Sequence, residues 1–311
     1  MTSWGVLTHV DTGSSPAESI DDAIRLARAA EEFGFESFWV AQHRFGDQGG
    51  VMPSPLVLLA ALARETTTLV LGTASIAVAF EDPRRLIEDA AVVDALSGGR
   101  LQLGLGSGSS PSASHTWGFD HDDRHARQWN VVDELLEGAL FGVGSGTFRR
   151  RVVPQTEPLA ERIWVTSGSD DGVGHTARRG LGLIAGRRNV GEHGPRQEDE
   201  RVAGLIVRYR AALGSLARVA LSRPVVVADD ADMAEGLRRR EHSLRAATGR
   251  AYTPQISVVG SSENFVAALA EDPGVVLADH LLVHTRPLAL SYSHQVDNLE
   301  RIATTVRPRL S

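Results

Sequence analysis

The stretch that most constrains the fold runs from residue 69 to residue 108. Residues 69–76 are almost wholly apolar, which is typical of a strand buried on both faces. From Pro83 to residue 96 apolar side chains recur every three or four positions, which predicts a helix with one face on a core. Gly98 and Gly99 end this helix, and alternate leucines over 101–105 predict a second buried strand. The unit is strand–helix–strand, the crossover that joins parallel strands.

The same alternation continues along the rest of the chain. Eight strands are expected, with helices between them, and the sequence therefore predicts a (β/α)8 TIM barrel, an α/β fold. We expect one domain over residues 1–311, with insertions at the barrel rim, including a polar loop over 106–120 and a charged lid over 187–200. The predicted strands lie at 5–9, 36–41, 69–76, 101–105, 162–166, 181–186, 225–228 and 279–285.

Composition excludes several classes of chemistry. The net charge of −7 and the lack of a basic run argue against nucleic-acid binding. The N-terminal residues have no signal-peptide pattern and no apolar stretch is long enough for a membrane span, so a cytoplasmic protein is expected. The sequence has no cysteine, which excludes thiol nucleophiles and thiolate metal sites. It also has no lysine, which excludes Schiff-base and pyridoxal-phosphate chemistry.

Several segments, taken in order, resemble one known family. They are Phe-Gly-Phe-Glu-Ser-Phe-Trp-Val-Ala-Gln-His-Arg-Phe at 33–45, Gly-Thr-Ala-Ser-Ile at 72–76, Leu-Ser-Gly-Gly-Arg at 96–100 and Trp-Gly-Phe-Asp at 117–120. Together they resemble the bacterial luciferase-like, flavin-dependent monooxygenases over most of residues 4–190. The resemblance implies the TIM-barrel fold and reduced FMN as the cofactor. It also implies a separate flavin reductase as a partner, and we expect a homodimer.

His43 follows the second predicted strand, at the catalytic end of a barrel. Position alone leaves open a rim histidine that only packs, whereas the resemblance implies an acid or base beside the flavin. Arg44 stands where many relatives have a second histidine, and Gln42 replaces a glutamate. Without that carboxylate, we expect the tautomer of His43 to be fixed by a different group. The small residues that end the third strand, Thr73, Ala74 and Ser75, match the point where the family carries a non-prolyl cis peptide against the flavin; a plain strand end is the alternative.

The remaining cofactor-binding candidates also follow strands. Gly106 and Ser107 end the fourth strand, where many relatives have an arginine that pairs with the phosphate. The resemblance implies that Gly168 and Ser169, before a helix, hold that phosphate. Asp170 and Asp171 would repel it unless they point outward, and the alternative is that one of them only caps the helix. Arg187, with Arg188, is a candidate replacement cation at the end of the sixth strand; a solvated pair is the alternative.

No metal site is expected. Residues 121–125 read His-Asp-Asp-Arg-His, but Asp122 and Asp123 are better explained as first-turn acids of a helix, one of them its cap. The family resemblance implies an FMN-dependent oxidoreductase that uses O2, and we expect its substrate to be a small apolar or sulfur-bearing organic molecule. Two alternatives remain: a hydride-transferring oxidoreductase that uses a deazaflavin or flavin without O2, and a barrel that binds flavin without turnover.

Overall fold

The computed structural model of the chain describes residues 2–11, 15–46, 50–108, 110–154, 158–186, 195–247, 259–286 and 288–310. The strands are β1 Ser3–Thr8, β2 Ser37–Val40, β3 Val70–Thr73, β4 Ile76–Ala77, β5 Leu101–Gly106, β6 Ile163–Ser167, β7 Gly182–Ala185, β8 Val219–Pro224, β9 Val226–Val227, β10 Val259–Gly260 and β11 His280–His284. The helices are α1 Pro16–Glu32, α2 Pro55–Glu65, α3 Pro83–Ser97, α4 Pro111–Trp117, α5 His121–Phe141, α6 Asp170–Arg178, α7 Pro195–Leu213, α8 Ala231–Ala247, α9 Ser262–Glu271, α10 Pro273–Val276 and α11 Tyr292–Arg301.

The main sheet confirms the predicted fold class. Its strand order is β3-β2-β1-β11-β8-β7-β6-β5-β4, and β3 also pairs with β5, so the sheet closes on itself. Neighbouring strands of this sheet run parallel, as β2 does with β3, β5 with β6 and β8 with β11. Because β3 and β4 are two parts of one interrupted strand, the sheet is the eight-stranded parallel barrel of a (β/α)8 fold. No helix in the described ranges is long and apolar enough to span a lipid bilayer.

The chain divides into two compact units. The first unit consists of Leu7–Glu31 and Glu36–Thr166, and the second of Met1–Val6, Glu32–Phe35 and Ser167–Ser311. The expectation of a single domain stays a prediction. In the first unit the buried ring of Trp39 meets Trp164 edge-on, with ring centroids 5.9 Å apart. Gly72 permits this packing, because a Cβ atom there would overlap the indole of Trp39.

Two charged residues of the first unit, Asp94 and Arg100, have structural roles. Asp94 of α3 is 0% exposed, and its carboxylate binds the guanidinium of Arg162. Arg100 donates to the backbone carbonyls of Ala63 and Leu69, which ties the end of α2 to the start of β3. Burial lowers the pKa of Arg100. Asp94 and Arg100 hold helices onto the sheet. The likeness of residues 96–100 to the family is therefore explained by packing.

The third strand is interrupted. A single strand over 69–76 was expected, but β3 ends at Thr73 and the chain resumes as β4 after a cis peptide bond between Ala74 and Ser75. Both pieces pair with β5. The hydroxyl of Thr73 fills the interruption, since it accepts from the N–H of Gly104 and donates to the carbonyl of Gly104, both at 2.8 Å.

In the second unit the prediction for the seventh strand is wrong. Residues 225–228 were expected to form it, but the barrel strand is β8, and Val226–Val227 instead pairs with β10 in a separate two-stranded sheet. The reason is that β8 contains Arg223, and a charged residue is not expected in a strand that is buried on both faces. The guanidinium of Arg223 is 3% exposed and bonds to Asp272 at 2.6 Å and Asp199 at 3.3 Å, so its charge is compensated inside the unit.

Three connecting segments also differ from expectation. Helix α4 lies within the predicted loop over 106–120, and Ser110 caps it by accepting from the N–H of Ala113. Asp120 caps α5 through the N–H of Asp123, so the prediction that Asp122 or Asp123 is the cap is wrong. Residues 195–200 of the predicted lid are the first turns of α7, and residues 187–194 lie outside the described residues. Two acids of this run, Glu198 and Asp199, are buried and pair with Arg201 and Arg223, which the charge pattern alone does not show.

Candidate functional site

His43 lies just after β2 in the first unit and is 8% exposed. Its backbone N–H donates to the carbonyl of Met52 at 2.8 Å, which fixes the start of the loop after β2. Its Nε2 atom lies 2.9 Å from Nδ1 of His9, the residue that follows β1. The candidate proton carrier is therefore held by a second imidazole, which sequence reasoning missed.

The neighbours of His43 in sequence are held by Glu81. Gln42 donates to a carboxylate oxygen of Glu81 at 3.0 Å, and its own side-chain oxygen accepts from the N–H of Ala77 at 2.8 Å. Arg44 forms an ion pair with Glu81. Gln42 and Arg44, which both depart from the family pattern, thus form one polar cluster with Glu81. Gln42 also holds β4 through the N–H of Ala77.

Aromatic side chains gather beside this polar cluster. The guanidinium of Arg44 lies 5.1 Å from the ring of Trp117, and the ring of Phe80 lies 5.5 Å from the same indole. Phe45 is 6.0 Å from Trp117 and remains 60% exposed, while Trp117 is 37% exposed. We call Phe45, Phe80, Trp117 and Phe119 the aromatic cluster. The aromatic cluster presents apolar ring surface to solvent, and Phe45, one of its members, is two residues after His43.

The candidate flavin residues after β3 and β5 lie against each other. A Cβ atom on Gly106 would come 2.5 Å from Oγ of Ser75 and 3.8 Å from Cβ of Thr166. Within the described part of the chain, the buried Oγ1 of Thr166 has no hydrogen-bond partner. A buried hydroxyl without a partner calls for a polar ligand atom, so this group of small residues fits the polar edge of a flavin ring. Thr166 was not among the predicted site residues.

The other candidates in the first unit differ in how much they can offer. Thr73 is 0% exposed and its hydroxyl is used by Gly104, so its side chain serves the sheet, and its assignment as a cofactor-binding residue stays a prediction. Ala74 and Ser75, joined by the cis bond, are both half-buried. Ser107 is half-buried, and among the described residues its hydroxyl makes only a long contact of 3.5 Å with the carbonyl of Gly108. Ser107 supplies no charge there.

In the second unit the predicted phosphate-binding loop leads into α6. Ser169 is the N-cap of α6, and its hydroxyl accepts from the N–H of Gly172 at 3.2 Å. The carboxylates of Asp170 and Asp171 are 73% and 86% exposed, and Asp170 pairs with Arg208. The acids therefore point outward, the arrangement in which they disturb a phosphate least. Ser169 rather than an aspartate caps the helix, so the alternative in which one of the aspartates only caps it is wrong.

Arg201 of α7 is a third residue, after His9 and Thr166, that sequence reasoning missed. It donates to the carbonyl of Gly168 at 2.7 Å and binds both carboxylate oxygens of Glu198. The hydrogen bonds that Arg201 donates to Glu198 raise the pKa of Arg201. Arg201 thus fixes the backbone of the loop that contains Ser169. Arg187 and Arg188 lie outside the described residues, so their proposed role stays a prediction.

Comparison with known proteins identifies the family. A family model described as luciferase-like monooxygenase matches residues 1–274. The chain therefore belongs to the luciferase-like monooxygenases, which confirms the resemblance and the class of enzyme expected from sequence. An uncharacterised protein of Sinorhizobium fredii, y4vJ, is 28% identical over 65% of this chain and 64% of its own length. The 4-hydroxyprotoasukamycin monooxygenase of Streptomyces nodosus subsp. asukaensis is 34% identical over 40% of this chain and 34% of its own length. The matches thus span about one to two thirds of these relatives.

Solved structures share the fold. The monooxygenase RslO1 from Streptomyces bottropensis superposes with a TM-score of 0.83 at 22% identity, over 100% of both chains. The oxygenating constituent of 3,6-diketocamphane monooxygenase from Pseudomonas putida, solved with FMN, gives 0.75 at 17% identity over 100% of both chains. A coenzyme F420-dependent tetrahydromethanopterin reductase from Methanopyrus kandleri gives 0.68 at 13% identity, over 100% of this chain and 99% of that one. The fold is thus shared by proteins described with FMN and with F420.

Proposed function

We propose that this protein is an FMN-dependent monooxygenase that uses reduced flavin from a separate reductase to oxidise a small organic substrate. The observation that carries the proposal is His43, a nearly buried imidazole after β2, in a chain whose family is defined by monooxygenases. Bound reduced FMN would supply two electrons to O2, so that one oxygen atom enters the substrate, the other leaves as water and the flavin ends oxidised. The task assigned to His43 is to hold or move a proton at a ring nitrogen.

Small polar residues are assigned to the cofactor. Ser75, Gly106 and Thr166 would contact the ring edge, because Thr166 has a buried hydroxyl to satisfy and Gly106 leaves its backbone bare. Gly168 and Ser169 would hold the phosphate through the N-terminus of α6. Support for the second assignment is the outward position of Asp170. His43 would act on protons and would not contact the phosphate.

The aromatic cluster supports an apolar substrate. Phe45 and Trp117 expose ring surface, and rings exclude water from the groups packed on them. Within the described part of the chain, the buried Nε of Arg44 makes no hydrogen bond. An apolar molecule with one oxygen or sulfur acceptor would fit this combination. Its charge is expected to be neutral, because Glu81 already balances Arg44.

The test is turnover under ¹⁸O₂ with FMN, NAD(P)H, a flavin reductase and a panel of apolar ketones, aldehydes and thioethers. We expect a product that carries one ¹⁸O atom. His43→Ala is expected to lower turnover by roughly a hundred- to ten-thousand-fold with flavin affinity within a few-fold of wild type. His294→Ala, at an exposed position on α11, is the matched control. Unchanged activity in His43→Ala would make His43 a packing residue only.

A second candidate function is hydride transfer with a deazaflavin. The observation that favours it is that two F420-dependent proteins, a reductase and a secondary alcohol dehydrogenase, share the fold. A barrel that binds flavin without turnover is the third candidate. Product formation without ¹⁸O and with reduced F420 as donor would support the second candidate. Flavin binding with no product from any donor would support the third.

A homodimer is also proposed. Helices α2 and α3 are neighbours and expose large apolar side chains: Val57 is 73%, Val92 46% and Leu96 40% exposed. Exposed apolar surface of this kind is typical of protein–protein contacts. A second copy of the chain would cover these side chains. Light scattering is expected to give the mass of a dimer, and Val57→Glu is expected to shift it toward the monomer. A monomer in the wild type would contradict the proposal.

A further inference from the structure

The imidazoles of His9 and His43 form a direct pair in the first unit. Nδ1 of His9 and Nε2 of His43 are 2.9 Å apart, and the ring centroids are 5.2 Å apart at an interplanar angle of 41°. The distance is that of a hydrogen bond between two nitrogens. Such a bond contains one proton, so one imidazole donates and the other accepts.

The backbone on both sides of the pair is fixed. Val10, directly after His9, has a left-handed conformation with φ 54°, which is unfavourable for a β-branched residue, and its N–H is held by the hydroxyl of Thr8 at 3.1 Å. The carbonyl of Val10 accepts from the N–H of Val51, in the loop after β2. These bonds fasten the loop after β1 to the loop after β2, and the two imidazoles lie at that junction.

Gly50 permits the contact. A Cβ atom at residue 50 would overlap both the ring of His43 and the backbone carbonyl of His9. The absence of a side chain there lets the loop close over the two histidines. The ring of His43 and the backbone of His9 are thus packed against residue 50, and a side chain there would displace one of them.

We propose that His9 is the positioning residue of His43: its Nδ1 fixes the ring plane and the tautomer of His43. If His9 donates, His43 carries its proton on Nδ1, and if His43 donates, its Nδ1 is left as the basic nitrogen. Either way one tautomer is selected, and the proton that His43 handles is located on a defined atom. This rests on the proposed function of His43 as a proton carrier, and it explains how the ring is oriented although Gln42 is used by Ala77 and Glu81.

The first measurement needs no cofactor or substrate. In protein labelled with ¹⁵N-histidine at pH 8, above the ordinary histidine pKa of about 6.5, the nitrogen shifts of His43 report its tautomer. We expect one tautomer in wild type, a mixture in His9→Leu, and one tautomer again in His9→Asn. The asparagine amide offers a donor and an acceptor near the place of Nδ1. Exposed His294→Leu is the matched control. The same tautomer mixture in wild type and His9→Leu would overturn the proposal.

The second measurement follows turnover. His9→Leu is expected to lower kcat by roughly ten- to a hundredfold, the range seen when a group that orients a functional imidazole is removed, with KM and the melting temperature little changed. His9→Asn is expected to recover most of the loss. In the His43→Ala background His9→Leu is expected to have no further effect, because His9 acts through His43. Equal losses in both backgrounds, or an asparagine variant as poor as leucine, would contradict the proposal. If no donor and substrate give turnover, the proposed function fails, while the nitrogen shifts still decide the role of His9.

Discussion

The hydroxyl of Thr73 occupies the gap in the β3–β4 strand and bonds to both backbone groups of Gly104. The N–H of Gly104 donates to it and the carbonyl of Gly104 accepts from it, each at 2.8 Å. The side chain of Thr73 thus takes the place of the backbone groups that an uninterrupted strand would offer to Gly104. Because backbone groups buried in a sheet must be paired, Thr73 is what lets the barrel contain the Ala74–Ser75 turn next to the candidate flavin residues.

Replacing this hydroxyl is expected to cost stability rather than cofactor contact. Thr73→Val keeps the shape but leaves Gly104 unpaired, and we expect a loss of roughly 1–3 kcal/mol in the free energy of unfolding. Thr73→Ser keeps the hydroxyl and is expected to lose less. Exposed Thr67→Val is the control. Urea denaturation measures each difference. Unchanged stability together with lost FMN binding would instead support the sequence-based assignment of Thr73 to the cofactor.

The buried ion pairs of Arg223 are expected to be essential to the second unit. Arg223→Met would leave Asp272 and Asp199 as buried carboxylates without their cation. We expect a loss of about 3–5 kcal/mol, the range for breaking a buried pair from one side. Arg85→Met, in a 68% exposed arginine that pairs with Glu88 and Asp89, is the control and should cost less than about 1 kcal/mol. Equal losses for the two variants would contradict the account.

Asp272 gives this network a defined pH dependence. Burial by itself raises the pKa of Asp272, but the hydrogen bonds and charge of Arg223 and the N–H groups of Gly274 and Val275 outweigh it, so the pKa lies below the ordinary 3.8. The contribution of the ionised carboxylate to stability is therefore complete above about pH 3.8 and is lost as the pH falls from that value through the folded-state pKa. We expect the stability difference between wild type and Asp272→Asn to be constant near neutral pH and to shrink below pH 4. A difference that grows on acidification would refute this sign.

Ser107 leads to a prediction about FMN affinity. Ser107→Arg would restore a cation after β5, and we expect roughly five- to tenfold tighter FMN binding at low salt, weakening as salt rises. Thr116→Arg adds the same charge at an exposed position on α4 and serves as the control. Fluorescence titration of FMN measures both. Tight binding already present in wild type and unchanged in Ser107→Arg would mean that another group holds the phosphate.

Much of the barrel follows from local pattern, and the exceptions have physical causes. The apolar runs and the glycine-ended helix of residues 69–108 predict their unit well, because both strands are buried on both faces. Strand β8 was missed because Arg223 is buried only through Asp272 and Asp199, which lie far away in sequence. The apolar run over 69–76 does not show the break between β3 and β4, where a hydroxyl replaces a backbone partner, but the family resemblance does point to the cis peptide found there.

The candidate site divides in the same way. His43, Ser75, Gly106 and Ser169 could be proposed from their places after strands and from the family resemblance. The partner of His43 could not, because His9 is 34 residues away and the pair depends on how two loops are fastened together. One signal was available: His9 ends the predicted strand 5–9, His43 comes just after the predicted strand 36–41, and strand ends of one barrel face share a rim. Arg201 had no such signal, since it lies within a charged run on a helix.

The central claim is that this chain binds reduced FMN for reaction with O2. The most direct measurement is an anaerobic titration of the purified protein with reduced FMN and, in parallel, with reduced F420, followed by mixing with air. The account predicts saturable binding of reduced FMN, weaker or no binding of F420, and reoxidation of the bound flavin by O2 at a rate that differs from that of free flavin. Binding of F420 alone, with a bound cofactor that does not react with O2, would contradict it.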